Sequence, residues 1–490
     1  MLPSDKVDGV TSSRRRWIVL VVLCIGQFMI TLDTTVVNVA LPVIQRELHF
    51  SQSSLAWVVN AYLLTFGGLL LLAGRLGDLI GRKHVFLVGL GAFALSSLLC
   101  GLAPTAGVLV AARFFQGVSA AMVASMVLGI ISPMFSERRE RAMALSVFAF
   151  VAIGGLSLGL VLGGIVTDLL NWHWIFFINV PIGLGVLILG RRLLANHPGL
   201  GIREGADVLG TLLVTTAPML AVYGVINAGS SNWSSVSTLA PLAGSLFLGG
   251  AFIAVEAWAR TPLIPLRIFR HRNLVAATIL RTVFQPGGFG FIFLGVLYLE
   301  HVLGYSPLRT GLAFLPYTGI MGFVSLGLIP RLVRLVDLKT LVVSGLVLIT
   351  AGLLALDRIS VHTGFVAGIL PTMLLMGTGF GLCFMPSVSI AMSDVAESDS
   401  GVASGLTNVA VQLGGSLGIA TLATISASRT THLLADHEAI RFALTGGYRI
   451  GFLVAAGCTT TSLVIAIFLL RSHRANPVAE MAVEGSAVLH

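Results

Sequence analysis

The stretch GRLGDLIGRK, residues 74–83, is a short polar link between two long apolar runs. The runs cover roughly residues 53–73 and 84–103, and a helix needs about 20 apolar residues to cross the hydrocarbon of a bilayer. A link this short leaves no room for a soluble domain between the two helices. The stretch therefore predicts a helical hairpin in a membrane.

The composition of the whole chain agrees with a membrane protein. Of its 490 residues, 56% are hydrophobic and 10% are charged, whereas soluble domains average about 25% charged residues. Such a sequence cannot cover a water-facing surface with polar groups, so we expect lipid to be its solvent. The net charge of +9 comes from short basic clusters between apolar runs, which argues against nucleic acid as a partner.

Fourteen segments are long and apolar enough to be membrane helices. They lie at about 17–42, 53–73, 84–103, 106–134, 143–167, 174–190, 208–228, 239–258, 275–299, 310–330, 340–356, 364–390, 401–425 and 449–470. The first of them is too long for a signal-peptide core, so we expect it to be retained.

The links between these segments predict orientation and exclude some function classes. Most of the 30 lysines and arginines fall in alternate links, on the side of the N-terminus. Because basic residues are enriched in cytoplasmic links, we expect both termini in the cytoplasm. The sequence holds no nucleotide-binding loop, nucleophile motif or metal-ligand spacing, so we expect neither an enzyme nor a metal or other cofactor.

The residues of the opening stretch suit a tight polar link at the inner edge of the membrane, and an ordinary positive-inside loop is their simplest interpretation. Gly74 is small enough to let another backbone approach, and Gly81 permits a tight turn. Asp78 can accept hydrogen bonds or cap a helix. Arg82 and Lys83 can anchor at the polar edge of the bilayer.

The pattern Gly-x-x-x-Asp-x-x-Gly-Arg-Lys of residues 74–83 resembles the signature loop of the major facilitator superfamily. The resemblance implies that this loop gates the cytoplasmic side by docking on a neighbouring helix. Three stretches are similar to motifs of fourteen-span drug:proton antiporters: LDTTVVNVALP at 32–42, WHWIFFINVPIG at 172–183 and YLEHVLGYSPLRTGLAFLP at 298–316. RFFQG at 113–117 is similar to the fourth-span motif of the superfamily, in which the arginine serves proton coupling.

The resemblance implies an all-α integral membrane protein with a major-facilitator-type bundle of fourteen helices. Two six-helix halves, at 17–195 and 273–470, would surround a central cavity, with two inserted helices in 196–272. Short cytoplasmic tails would cover 1–16 and 471–490. Such halves rock against each other around a midplane site, and a single chain would suffice.

Two charged residues, Asp33 and Arg113, stand in the middle of apolar runs. Asp33 lies nine residues before Pro42 and Arg113 lies nine residues after Pro104, at the expected outer ends of spans one and four. At ~1.5 Å per residue both lie about 13 Å below the outer surface, near the midplane of a ~30 Å core. Members of the superfamily place these spans on the cavity wall, so we expect Asp33 and Arg113 to pair, directly or through water.

The expected pair suggests a proton-coupling role. In this hypothesis a deprotonated Asp33 pairs with Arg113 or with a cationic substrate, and a proton arriving from outside neutralises Asp33 and releases the substrate outward. The proton gradient would be the energy source. A static structural pair is the alternative.

Five further residues are candidates for substrate binding. Gln116 lies one turn from Arg113 and should share its helical face. Asn38 is a further candidate to share the face of Asp33. Trp57 and Tyr62 could stack on flat apolar substrates or else pack between helices. Arg281 could face the cavity or extend its side chain to the cytoplasmic interface.

The fifth span contains a glycine motif. Gly155, Gly159 and Gly163 recur every fourth residue, so they share a helical face on which another helix can pack closely. With Gly164 they resemble the antiporter motif of the family, although Leu160 stands where that motif has proline. This departure keeps an uncoupled transporter among the alternatives.

The sequence thus predicts a multi-pass plasma-membrane exporter of bacterial type. Small hydrophobic or cationic compounds, such as drugs, dyes and antibiotics, are the expected substrates, and protons and lipid are the expected partners. An exporter of an endogenous lipid or metabolite and an uncoupled facilitator or sensor are the alternatives.

Overall fold

The computed structural model describes residues 13–135, 137–196, 199–201, 207–229, 231–259, 262–396 and 399–471. Within these ranges the chain is helical, with no strand. Most of the two predicted tails, residues 1–12 and 472–490, lies outside the described residues.

Fourteen helices follow one another in the described residues, some of them built from consecutive pieces. Their bounds are α1 Ser13–Glu47, α2 Ala56–Ile80, α3 Arg82–Gly101, α4 Ala106–Met134, α5 Arg138–Leu169, α6 Trp174–Phe177 and Asn179–Leu193, α7 Val208–Ala228, α8 Val236–Trp258, α9 Arg272–His301, α10 Pro307–Ala313, Leu315–Phe323, Val324–Leu328 and Ile329–Leu332, α11 Leu338–Ala355, α12 Phe365–Ile369 and Leu370–Met392, α13 Ser400–Ala435 and α14 Ile440–Leu469. Thirteen of them are long and apolar enough to cross a membrane, and α5 adds the shorter apolar stretch Gly154–Leu169. The predicted all-α bundle of fourteen helices is confirmed.

Some of the helices begin at a polar capping residue in a short link. The Thr105 hydroxyl accepts a hydrogen bond from the Val108 amide at the start of α4, and an Asp207 carboxylate oxygen accepts one from the Gly210 amide at 2.6 Å in α7. Such caps satisfy amides that have no partner within the helix, which matters most where water is scarce.

The bundle has two ends. We call the end at which α1 begins and α14 ends the near face, and the opposite end the far face. The polar stretch at residues 74–83 includes the turn between α2 and α3, which lies at the near face.

Each half of the bundle contains a glycine-lined contact between two helices. In the first half α5 packs on α1, where a Cβ atom at Gly163 would lie 2.7 Å from the Val36 carbonyl oxygen. In the second half α13 packs on α9, where a Cβ at Gly418 would lie 2.7 Å from the Pro286 side chain. The predicted close packing along Gly155, Gly159 and Gly163 therefore occurs, and its partner is α1.

The inserted helices α7 and α8 differ in how they are held. Helix α7 touches both halves: Thr215 packs on Gly68 of α2, and Thr424 of α13 donates a hydrogen bond to the Val225 carbonyl at 3.1 Å. Helix α8 packs on α7 and leaves large apolar side chains such as Phe247 exposed, at 75%. A bilayer would cover that surface. The division of the chain at 195/196 and 272/273 stays a prediction.

The two halves meet along α5 and α10 toward the far face and separate toward the near face. Near the far end, a Cβ at Gly164 of α5 would lie 2.5 Å from the Pro307 carbonyl oxygen of α10. Closer to the near face, a cavity of about 440 Å³ opens between these helices; its lining includes Phe150, Gly154 and Phe323. On another side of the bundle α2 and α13 remain in contact.

Candidate functional site

Asp33 of α1 and Arg113 of α4 form a direct ion pair inside the first half. Arg113 Nη1 lies 2.6 Å from Asp33 Oδ2, and the two side chains are 1% and 0% exposed. The structure thus brings together the two residues whose depths matched in the sequence. A buried pair of this kind is costly to break, because either charge left alone has neither water nor a partner.

Gln116 links both members of the pair. Its Oε1 accepts a hydrogen bond from Arg113 Nη1 at 2.6 Å, and its Nε2 donates to Asp33 Oδ1 at 2.8 Å. The same Nε2 lies 2.6 Å from the Ser97 hydroxyl of α3. The one-turn spacing from Arg113 explains this position, because residues three apart share a helical face.

Asn179 completes the cluster, and the sequence analysis did not single it out. Its Nδ2 donates to Asp33 Oδ1 at 2.7 Å and is itself fully buried, at 0% exposed. It begins the second piece of α6, directly after a break at Ile178. The available signal was a single amide in the apolar run IFFINVP, and Ser97 was likewise a polar residue in an apolar span.

Aromatic rings enclose the guanidinium. The Arg113 guanidinium carbon lies 4.3 Å from the centre of the Tyr62 ring, and Nε donates to the Val58 carbonyl at 3.0 Å. Tyr62 is 1% exposed, so in this conformation it supports Arg113 and offers no free face to a substrate. Trp57 is half-buried in the first turn of α2, and its role in binding stays a prediction.

Asn38 does not join the cluster. Its Nδ2 donates to the Thr34 carbonyl of its own helix at 3.0 Å. Residues five apart differ by about 140° around an α-helix, so Asn38 and Asp33 point in different directions. The prediction that Asn38 shares the helical face of Asp33 is therefore wrong. A contact between Asn38 and a substrate stays a prediction.

The cluster is electrically neutral and fully hydrogen-bonded at the carboxylate. Asp33 Oδ1 accepts from Gln116 and Asn179, and Oδ2 accepts from Arg113. A proton on Asp33 would remove its negative charge and so weaken every one of these contacts. The arrangement can therefore couple one protonation event to the contacts of α1 with α4 and α6.

Arg281 lies apart from this cluster, on α9 of the second half. It is 2% exposed, and its Nη1 donates to the Ser387 hydroxyl at 2.9 Å and to the Phe384 carbonyl at 3.3 Å, both on α12. The alternative that its side chain extends to the interface is thus wrong, because neighbouring helix α12 provides its acceptors inside the bundle.

The link after α2 contacts neighbouring helices at the near face. Arg82 donates to Asp78 Oδ1 at 3.0 Å, and its Nη1 also donates to the Gly129 carbonyl of α4. Lys83 Nζ donates to the Leu194 carbonyl at 2.6 Å. These contacts fit a gate, although that role stays a prediction.

Two glycines of the link have different uses. Gly81 has φ +96°, a conformation that L side chains rarely adopt, so the tight turn requires it. Gly74 was expected to allow close approach, and this is wrong: a Cβ there would meet nothing within 4 Å. Gly77 is the closely packed position, with the Met126 side chain of α4 against it.

Comparison with known proteins supplies the family. The profile of the Major Facilitator Superfamily matches residues 23–419. A puromycin resistance protein of Streptomyces alboniger is 37% identical over 464 residues, which covers 94% of this chain and 92% of that protein. A cephamycin export protein of Amycolatopsis lactamdurans is 37% identical over 416 residues, covering 84% and 85%.

Solved structures agree on the fold. An auto-inhibited POT family peptide transporter matches with a TM-score of 0.67 at 16% identity, covering 94% of this chain and 98% of that one. A bacterial homologue of the lysosomal transporter Spinster, solved in an inward-facing and occupied conformation, matches with a TM-score of 0.65 at 14% identity, covering 94% and 97%. Motifs, relatives and fold agree that this multi-pass membrane protein belongs to the major facilitator superfamily of transporters.

Proposed function

We propose that this protein exports small hydrophobic or cationic compounds, antibiotics among them, across a bacterial plasma membrane in exchange for protons. The observation that carries the coupling is the buried cluster of Asp33, Arg113, Gln116 and Asn179. An ionisable residue inside a membrane bundle is expensive to bury and usually marks a functional site.

The relatives support export. Their names describe resistance to puromycin and export of cephamycin. The names support antibiotics as a class of substrate and do not select one compound.

The near face is assigned to the cytoplasm. It carries the exposed residues Arg14 and Arg15, together with Arg82 and Lys83, and basic residues are enriched on the cytoplasmic side of membrane helices. The halves separate along α5 and α10 toward that face, so this conformation would accept substrate from the cell interior.

In the proposed cycle, the protonation of Asp33 depends on which face of the bundle is open. When the halves part at the far face, a proton from outside neutralises Asp33 and releases the substrate. After return to the inward conformation the proton leaves, and the ion pair with Arg113 forms again. A single chain contains every part of this cycle, so we take the monomer as the working unit.

Everted membrane vesicles test the proposal. With a proton gradient established, adding ethidium should partly collapse the gradient, and an uncoupler should abolish ethidium uptake into the vesicles. Asp33→Asn should remove both effects. Asp357→Asn is the matched control, because Asp357 forms a more exposed pair with Arg449 at 3.3 Å near the far face.

The alternatives have their own outcomes. Uptake that continues after the gradient has been abolished would favour an uncoupled facilitator, an alternative that the sequence keeps open through Leu160. Asp33→Asn with normal surface expression and unimpaired, gradient-driven efflux would disprove the coupling role. If bilayer lipids collapse the proton gradient and no drug or dye does, the result favours an exporter of an endogenous lipid.

A further inference from the structure

One side of the Arg281 guanidinium donates hydrogen bonds within the protein, and the other side donates none to a described residue. Both of its hydrogen bonds come from Nη1, to Ser387 and Phe384. Its Nε is buried without a partner, and Nη2 donates to no described residue. The N–H groups of Nε and Nη2 point the same way and form the fork that binds a carboxylate with two parallel bonds.

Within the part of the chain that the structure describes, no carboxylate compensates this buried charge. Among the described residues, none lies within ion-pair distance of Arg281. An unpaired ion inside a protein costs several kcal/mol even after relaxation. Such a residue in a membrane bundle calls for a partner, and the described residues supply none.

The surroundings of Arg281 fit a binding site. Thr278, one turn earlier on α9, has a buried hydroxyl that also lacks a partner, and residues three apart share a helical face. The guanidinium carbon lies 5.1 Å from the centre of the Phe384 ring, and Phe384 is 38% exposed. The free edge thus belongs to a polar patch beside an accessible aromatic ring.

We infer that the Nε–Nη2 edge of Arg281 binds a carboxylate group of the transported molecule. The second half would then recognise the anionic end of a substrate, with its apolar body against Phe384, while the first half handles the proton. This inference rests on the proposed export function and narrows its substrates toward amphipathic molecules that carry a carboxylate.

A matched pair of dyes isolates the carboxylate. Rhodamine 110 is a free acid, and rhodamine 123 is its methyl ester, so the two differ only at this group. Binding is measured by fluorescence anisotropy on the purified full chain, and transport is measured in proteoliposomes. The variants are Arg281→Met, which removes the charge at similar length, and Arg281→Lys, which keeps the charge without the fork. Arg429→Met removes an exposed arginine from the same half as a control.

The wild type should bind the acid more tightly than the ester. Arg281→Met should weaken binding of the acid by about tenfold or more, since it removes two charge-assisted hydrogen bonds to the carboxylate. Binding of the ester should stay unchanged in every variant. Arg281→Lys should fall between, and Arg429→Met should match the wild type. Thermal unfolding of Arg281→Met checks that the variant folds.

Several results would overturn the inference. Equal affinity for acid and ester in the wild type, or equal losses for both dyes in Arg281→Met, would show that Arg281 does not read the carboxylate. If phosphatidylglycerol stabilises the wild type and not Arg281→Met while dye binding is unaffected, the site serves a lipid phosphate. Tight, Arg281-dependent binding of the acid without transport of either dye would keep the anion site and refute the export function.

Discussion

The two halves of the bundle share one packing arrangement and differ in their buried chemistry. By their order in the chain, α9, α12 and α13 take the places of α1, α4 and α5. Glycines bring α5 onto α1 and α13 onto α9 in the same way. In the first half the buried arginine, Arg113, donates to a carboxylate and an amide; in the second, Arg281 donates to a hydroxyl and a carbonyl.

This difference separates the helix contacts that stabilise the bundle from the charged residues that are proposed to act in transport. Close helix packing is needed in both halves, because van der Waals contact replaces the hydrophobic effect inside a bilayer. Charge compensation is not repeated, so it serves no general structural need. In the first half Arg113 has a carboxylate partner, while among the described residues Arg281 of the second half has none.

The largest expected effect is on stability, from removing the first half's arginine. Arg113→Met leaves Asp33 buried with neutral amides alone, and breaking a buried pair costs about 3–5 kcal/mol. Arg281→Met removes a charge that had no counterpart and should leave stability unchanged or raise it. Thermal unfolding in detergent compares the two variants. Similar losses in both would mean that the halves do not differ as described.

Disrupting the glycine-lined contact should lower stability by a similar amount in both halves. Gly163→Leu and Gly418→Leu each force a side chain into a neighbouring helix, and overpacking costs about 1–3 kcal/mol or more. Gly154→Leu is the control, because a Cβ at Gly154 meets nothing within 4 Å. Folded yield and unfolding temperature report the result. A tolerant Gly418→Leu beside a damaged Gly163→Leu would show that only one contact is tight.

A smaller effect is expected from the residue that the sequence analysis missed. Asn179→Ala removes one hydrogen bond to the Asp33 carboxylate, a loss of about 1.5–3 kcal/mol at most, since Gln116 still donates to the same oxygen. Efflux at several pH values should change its pH profile, which a purely structural role would not alter. Wild-type efflux and an unaltered profile would remove Asn179 from the coupling cluster.

The smallest stability change should come from the near-face link. Arg82 bridges to the Gly129 carbonyl of another helix, whereas Arg331 of α10 donates to the Gly327 carbonyl one turn earlier in the same helix, at 2.7 Å. Exposed ion pairs contribute about 0–1 kcal/mol, so Arg82→Ala should unfold like the wild type. Its efflux should fall, while Arg331→Ala should transport normally. Equal efflux in both variants would argue against a gate formed by this link.

Much of the fold followed from local chemistry. Apolar runs of membrane-spanning length became helices, because lipid forces each span to satisfy its own backbone. The Asp33–Arg113 pair could also be predicted, since a lone charge in a span needs a partner and a fixed rise per residue gives its depth. Gly81 was readable as a turn because few residues tolerate its backbone conformation.

Other features needed the tertiary structure. Asn179 and Ser97 are neutral, so their presence in a span is not costly enough to identify them. Only the packing of α6 on α1 brings Asn179 to Asp33, and only the packing of α3 on α4 brings Ser97 to Gln116. Gly74 and Gly77 look alike in the sequence, and the position of α4 decides which one is packed. The sequence by itself determined which residues must cross the membrane and that Asp33, Arg113 and Arg281 are charged within it. Only the tertiary structure decided which of these charges is neutralised, because that depends on which helices face each other.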